Sequence, residues 1–407
     1  MKSRVIVIGQ GYVGLPVAVS AAEAGMHVIG YDIDSEKING LRSGISSTPD
    51  VESSKIIGLQ NSGKLEFTNK LEKQTKSIIF VIAVPTPLDD QKKPDLSILK
   101  NACEIVGEIT SPESLVINES TSYIGTLRNF VKPIVDNRSG FSDIKYAVAP
   151  ERIDPGNSSW RINNTPRLVS GLDSNSTLEA VDFYSKICSQ VVTVSRPEIA
   201  EAAKLFENSF RLVNIALAMS LSKLAHLYGT TAHEIISAAA TKPFGFVPFY
   251  PSIGIGGHCI PIDPKYLLLS ATNMGLDLEV INVSDQINLE AVHYIVTHIR
   301  SNYFDNLKEK NIQIVGISYK VDSSDLRESK SIELIELLRN EGANVIWHDP
   351  LVSNFKNEIS QPLSVTIDMG LIVTPHNCID FTPWHQSKIL VLDISSTPTD
   401  FGWAKTL

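Results

Sequence analysis

Short apolar runs recur along the first 150 residues, separated by stretches in which apolar positions return every three to four residues. Val5–Ile8, His27–Tyr31, Ser77–Ile82, Leu115–Ile117 and Tyr146–Val148 predict parallel strands, because a strand covered on both faces reads as a continuous apolar run. Helices are expected between them, giving a βαβ succession and a doubly wound sheet. The pattern then changes. Ser195-Arg196-Pro197-Glu198 has the spacing of a capping box with a proline in the first helical turn. Helical periodicity runs from about Pro197 to Tyr228 and closes at Gly229. Such a helix is about 45 Å long, enough to bridge two domains or to form a dimer core. Beyond about residue 305 the alternation returns, with Ile312–Gly316, Asn344–Trp347, Leu371–Val373 and Ile389–Leu392 as strands of a second, smaller domain. The expected fold class is α/β, two Rossmann-like domains joined by a central helical region. The expected divisions are 1–196, 197–304 and 305–407.

A chain of 407 residues is too long for one ordinary core, which agrees with that division. Its hydrophobic content of 43% and charged content of 20% are those of a soluble globular protein. The net charge of −9 argues against a nucleic-acid partner but leaves room for a local basic pocket. No signal peptide is legible at the N-terminus, and no apolar run reaches membrane-spanning length. Four scattered cysteines without a CxxC pair argue against a disulfide framework and a zinc site. No metal is expected, and cytoplasmic residence with reduced thiols is.

The candidate chemistry begins at Gly9-Gln10-Gly11-Tyr12-Val13-Gly14, which follows the first strand and opens a helix. Gly9 suits a tight turn, Gly11 lets backbone approach a pyrophosphate, and Gly14 permits close helix–strand packing. Asp32, at the end of the next strand, suits a ribose 2′-hydroxyl and repels a 2′-phosphate, so NAD is favoured over NADP. A glycine turn with no cofactor is the plainer alternative. Thr86 in Val84-Pro85-Thr86-Pro87 and Thr121 in Glu119-Ser120-Thr121 follow strands, where ligands lie in open α/β sheets; either also suits a helix N-cap. Lys204 and Asn208 share a face of the long helix, with Arg211 near it. That face is either solvated or, among Ala202, Ala203, Leu205 and Phe206, able to stabilise an alkoxide. In Gly254-Ile255-Gly256-Gly257-His258-Cys259-Ile260-Pro261-Ile262-Asp263-Pro264 a glycine loop presents a cysteine before a helix start. A lone cysteine is usually a small buried hydrophobe, but this setting suits a nucleophile. Asp263 reads equally as an N-cap before Pro264 at N1. Lys320 and Arg327 follow a later strand and suit a diphosphate, with surface ion pairs as the plainer alternative.

The ordered set GQGYVGLP, VPTP, EST, PERIDPGN, EAAKLFENSFRLVNIAL, KPFGFVPFYPSIGIGGHCIPIDP and GISYKVDSSDLRES resembles the UDP-glucose/GDP-mannose dehydrogenase family over nearly the whole chain. The resemblance implies an N-terminal NAD-binding domain, a central dimerisation helix and a C-terminal UDP-binding domain. It also implies a homodimer or larger assembly, with no membrane insertion, and a four-electron oxidation of a UDP-sugar using two NAD. By motif, Lys204 and Asn208 would stabilise the alkoxide, and Asp263 would assist proton transfer through water. Cys259 would capture the aldehyde, Glu151 would act as base in thioester hydrolysis, and Thr121 would orient the water. Gly9, Gly11, Tyr12, Val13, Gly14, Asp32, Thr86, Thr121 and Arg327 would hold NAD. Glu151, Arg152, Lys204, Asn208, Phe249, Tyr250, Gly256, Gly257 and Lys320 would hold substrate. PERIDPGN, with Pro155 where UDP-glucose enzymes carry a second acid, resembles the UDP-N-acetylhexosamine branch. UDP-GlcNAc or UDP-GalNAc is the first expectation, UDP-ManNAc the second and UDP-glucose the third. Ile124, Leu127, Ser252 and Ile253 depart from commoner residues near the nicotinamide and sugar. Two other readings are a two-electron dehydrogenase of the hydroxyisobutyrate or phosphogluconate kind, and a catalytically silent nucleotide-sugar binder.

Overall fold

The computed structural model describes residues 4–48, 50–153, 159–257, 259–396 and 402–407. The chain divides into two compact units, residues 1–207 with 265–275, and residues 208–264 with 276–407.

The first unit is built on eight strands: β1 Arg4–Ile8, β2 His27–Tyr31, β3 Leu65–Thr68, β4 Ile79–Ile82, β5 Leu115–Asn118, β6 Lys145–Val148, β7 Arg167–Gly171 and β8 Val191–Thr193. Their order is β3-β2-β1-β4-β5-β6-β7-β8. All neighbours are parallel except β6 and β7, which pair antiparallel with Ala147 opposite Gly171 and Val148 opposite Ser170. The apolar runs explain the sandwich of helices around the sheet. In β1, Val5 and Val7 enter one core cluster while Ile6 and Ile8 enter the other, on the opposite face. All four are essentially inaccessible to solvent, and each such side chain contributes about 1.5–3 kcal/mol on burial. The expected strands form within a residue or two of their predicted ends. β3, β7 and β8 were not foreseen from the sequence. β3 alternates buried residues with more exposed ones and β8 is two half-buried valines and an exposed threonine, so neither shows an apolar run.

The second unit contains β9 Asn311–Val315, β10 Asn344–His348, the small hairpin of β11 Asn354–Phe355 and β12 Glu358–Ile359, then β13 Met369–Ile372, β14 Leu390–Asp393 and β15 Lys405–Thr406. Its parallel sheet has the order β10-β9-β13-β14-β15. Ile312 and Ile314 face one cluster and Val315 the other. Between them Gln313 is fully buried, and its amide is satisfied by the carbonyls of Gln361 and Pro362 and by the N–H of Ser364.

One helix, Pro197–Leu227, runs from the first unit into the second. Its C-terminus closes as foreseen. The Gly229 N–H donates to the His226 carbonyl and the Thr230 N–H to the Ala225 carbonyl, the paired bonds of a Schellman motif. Among the described residues no helix is long and apolar enough to cross a membrane.

The tightest point in the first unit is the turn after β1. A Cβ on Gly14 would stand 1.8 Å from the Gly9 carbonyl oxygen, whereas one on Gly11 would meet nothing within 4 Å. Gly14→Ala is therefore expected to lose about 1–3 kcal/mol through overpacking, with Gly11→Ala near neutral. Urea unfolding of the two variants checks this; equal stabilities would refute the close packing.

Candidate active site

In the first unit the carboxyl ends of β1, β4, β5 and β6 all point to one edge of the sheet, since these strands are parallel. That edge collects most of the first unit's candidate residues. After β1 the backbone from Gly9 enters the helix Gly14–Glu23, with Val13 at its N-cap. Gly11, Tyr12 and Val13 are half-buried, and the open space above the Gly11 Cα suits the close approach of a pyrophosphate to a helix N-terminus. Asp32 is buried after β2. Its carboxylate accepts the N–H groups of Gln10 at 2.9 Å and Asp34 at 3.0 Å, and pairs with Lys37 at 2.8 Å. Although burial opposes its charge, these donors hold Asp32 below the usual carboxylate range. The acid is therefore ionised and fixed, as recognition of a ribose hydroxyl requires. Lys37 was not anticipated, because a lysine in a surface helix carries no pattern.

Thr86 follows β4, and its carbonyl lies 3.4 Å from the Tyr266 hydroxyl. Thr121 is half-buried after β5. Just beyond it, Ile124 donates its N–H to Ser270 Oγ at 2.9 Å. The N–H groups of Gly125 and Leu127 donate to the buried carboxylate of Glu201 at 2.6 and 2.9 Å. Glu151 is buried after β6, with one oxygen accepting the N–H groups of Arg152 and Ile153. The Arg152 guanidinium reaches the carboxylate of Glu207 at 2.5 and 3.1 Å and the Pro166 carbonyl at 3.2 Å. Asp154–Asn157 of the PERIDPGN segment, including Pro155, lie outside the described residues.

On the long helix Glu201, Lys204 and Asn208 are all buried, whereas Arg211 is exposed. In the second unit Asn208 Nδ2 donates to Asp263 Oδ2 at 2.5 Å. The N–H of Asp263 donates to the Cys259 carbonyl at 2.8 Å. The helix expected after Asp263 begins at that residue, one position earlier than an N-cap reading places it. Asn208, Asp263 and Cys259 thus form one hydrogen-bonded chain. Gly256 and Gly257 of the loop are pressed against Tyr319 and the Glu328 carbonyl, leaving no room for a side chain at either position. Gly257 also has φ +82°, so a substitution there is strained as well as crowded. Ile255 N–H is held by Asn288 Oδ1 at 2.6 Å; His258 lies outside the described residues. Lys320 is half-buried, and exposed Arg327 pairs with Asp325. Phe249 and Tyr250 pack on Ala218, Ala225, Ala232 and Ile236.

The environment separates the four cysteines, which form no disulfide. Burial pushes the Cys103 thiol up to about 12 and raises that of Cys188, which suits packing. Cys259 is half-buried on its glycine loop and Cys378 is exposed. Among the described residues no three His, Cys, Asp or Glu side chains are grouped to hold a metal ion.

Comparison with known proteins covers all three regions. Family models of the UDP-glucose/GDP-mannose dehydrogenase family match residues 3–188 as its NAD binding domain, 198–290 as its central domain and 313–396 as its UDP binding domain. A UDP-N-acetyl-D-glucosamine 6-dehydrogenase of Pseudomonas aeruginosa is 33% identical, over 86% of this chain and 83% of its own. A UDP-N-acetyl-D-mannosamine dehydrogenase of Pyrococcus horikoshii is 34% identical, over 94% of this chain and 92% of its own. A solved UDP-D-ManNAc dehydrogenase structure from Pyrococcus horikoshii aligns with a TM-score of 0.85 at 30% identity, covering 99% of this chain and 98% of that one.

Glu201 gives this geometry a pH signature. Burial raises its pKa from 4.5 to about 7, against the pull of the Leu127 and Gly125 N–H groups. The folded state therefore holds this proton more tightly than the unfolded chain. The contribution is complete below pH 4.5 and is lost as pH rises through 7, a change on the order of 3 kcal/mol. Glu201→Gln should flatten the fall in stability between pH 5 and 8 and be the more stable form at pH 8. Thermal unfolding at both pH values measures it; parallel curves for the two proteins would contradict the assignment.

Proposed function

The chain belongs to the UDP-glucose/GDP-mannose dehydrogenase family, and from that premise we propose that it oxidises the C6 alcohol of a UDP-N-acetylhexosamine to the uronic acid, with NAD as oxidant. The observation that carries this reading is the buried side-chain bond from Asn208 to Asp263, with the Asp263 main chain bonded in turn to the Cys259 carbonyl, which brings an amide, an acid and the cysteine-bearing turn together.

Lys204 and Asn208 stabilise the alkoxide formed as the C6 hydroxyl loses its proton through water toward Asp263. NAD, when bound, accepts the hydride, and Gly9, Gly11, Tyr12, Val13, Gly14, Asp32, Thr86, Thr121 and Arg327 are the residues that would hold it. The Cys259 thiolate adds to the aldehyde carbon. The resulting thiohemiacetal can lose a second hydride, which a free aldehyde held without a nucleophile cannot do directly. Water then cleaves the thioester, with Glu151 taking its proton and Thr121 orienting it. Lys320 meets the substrate diphosphate, while Arg152, Phe249, Tyr250, Gly256 and Gly257 bound the sugar.

Support for an N-acetylated sugar comes from PERIDPGN and from relatives that carry UDP-GlcNAc and UDP-ManNAc in their names. UDP-GlcNAc or UDP-GalNAc is placed first, UDP-ManNAc second and UDP-glucose third. We assign the reaction to the cytoplasm, in keeping with cysteines that form no disulfide. We also assign a homodimer or larger assembly. On the long helix Phe206, Phe210, Leu217 and Leu224 are exposed at spacings of four and seven residues, an apolar stripe that a second helix would cover.

A panel of these four UDP-sugars with NAD tests the reaction: about two NADH per sugar oxidised are expected, and a ratio near one would end the four-electron reading. Cys259→Ser should lower turnover by about a hundredfold or more and leave aldehyde-level product; wild-type turnover in that variant would remove the covalent step. Light scattering should give at least twice the chain mass of 44.6 kDa, reduced by Leu217→Glu with Leu224→Glu. A monomeric wild-type protein would refute the assembly.

A further inference from the structure

Arg167 is the first residue of β7 and is 3% exposed. β7 runs antiparallel to β6, with register pairs 147–171 and 148–170. Continued by three residues, that register sets Arg167 opposite Glu151. The single reversal in the sheet therefore brings the start of a strand, rather than its end, to the edge where Glu151 emerges. A parallel β7 would have carried Arg167 to the far edge.

The guanidinium is shared. Nη2 donates to Glu151 Oε2 and Nη1 to the Ala149 carbonyl at 3.2 Å, and Nη1 stands 3.5 Å from Glu119 Oε2. Tyr184 donates its hydroxyl to Glu119 Oε1, and its ring lies 5.2 Å from the guanidinium carbon. The other Glu151 oxygen accepts the Arg152 and Ile153 N–H groups. Both oxygens of Glu151 thus have fixed donors. The charged and titratable groups facing Arg167 are Glu119 after β5, Glu151 after β6, and Tyr184 and Cys188 at and beyond the end of the helix Ser174–Tyr184. Two carboxylates share one cation. Burial drives Glu119 toward its protonated form against the pull of the Arg167 cation, and the negative charge of Glu151 adds to the effect of burial.

We propose that Arg167 is a positioning residue for Glu151, holding that carboxylate in one orientation for the hydrolytic step. The proposal rests on the reading of Glu151 as the base. In that step the water oxygen bonds to the acyl carbon and one water proton passes to Glu151. The C–S bond breaks with its electron pair going to Cys259, and nothing is oxidised or reduced. A buried ion pair kept only for folding would leave this step untouched.

The test uses the full chain, saturating NAD, and whichever of UDP-GlcNAc, UDP-GalNAc, UDP-ManNAc or UDP-glucose it oxidises. Lysine keeps the charge but lacks the planar fork. In Arg167→Lys, kcat should fall about ten- to a hundredfold while KM for the sugar nucleotide changes little. The first burst of NADH should persist, and intact-mass analysis after acid quench should show the sugar-acyl adduct on Cys259. A folded Arg167→Lys protein with kcat within twofold of wild type, or a loss without adduct, overturns the proposal. Glu151→Gln separates the two claims. Normal turnover in that variant sinks the base reading, whereas adduct in Glu151→Gln but not in Arg167→Lys sinks only the positioning role. If Arg167→Lys fails to fold, the double variant Arg167→Gln with Glu119→Gln carries the test. It removes the cation together with its second carboxylate, so kcat should again fall about ten- to a hundredfold with KM little changed and the acyl adduct retained on Cys259. A folded double variant with kcat within twofold of wild type overturns the proposal.

Discussion

Burying a polar side chain costs free energy, several kcal/mol where it is charged, unless a partner is built for it. The helix Pro197–Leu227 buries Glu201, Lys204 and Asn208 on successive turns, and much of the local structure follows from satisfying them. Glu201 takes the N–H groups of Gly125 and Leu127, so the backbone after Thr121 is tied to the helix that bears Lys204. Asn208 donates its amide N–H to Asp263, whose own backbone N–H donates to the Cys259 carbonyl. Groups placed this way need no rearrangement when charge develops on a substrate oxygen, which is where electrostatic catalysis gains most. Side chains held only by surface contacts would spend part of that advantage on ordering.

The same logic explains what was legible in the sequence. Doubly covered strands announce themselves as apolar runs, and β1, β2, β4, β5, β6, β9, β10, β13 and β14 were read that way. β7 was not, although three of its residues are buried apolar or small, because it opens with an arginine and an arginine is read as surface. That residue is the one around which Glu119, Glu151 and Tyr184 gather. Glu201 escaped for a related reason: it sits in a helical stretch where acids usually face water, and only its backbone partners on a distant segment mark it. Asp263 was legible from its place before Pro264, whereas its pairing with buried Asn208 was not, because the two stand 55 residues apart in the chain. Conversely, the glycine motifs transferred directly, since the crowding that excludes a side chain at Gly14 and Gly257 is what selects glycine.

In the second unit the loop before Cys259 has little freedom of its own. Gly256 and Gly257 lie against Tyr319 and the Glu328 backbone, and Ile255 is held by Asn288. Tyr319 and Glu328 belong to the segment that carries Lys320 and Arg327. That segment is fixed in turn: Asp322 donates its N–H to His376 Nδ1, whose Nε2 lies 3.1 Å from Asp349. Asp349 also accepts the N–H groups of Ile317 and Ser318 at the end of β9. The placement of the cysteine is therefore set by a sequence of contacts that begins at the sheet. Enlarging either glycine would push on Tyr319 and disturb the loop of Lys320 as well as that of Cys259. A change at one end of this chain is felt at the other because packed interiors shift as units rather than yielding locally.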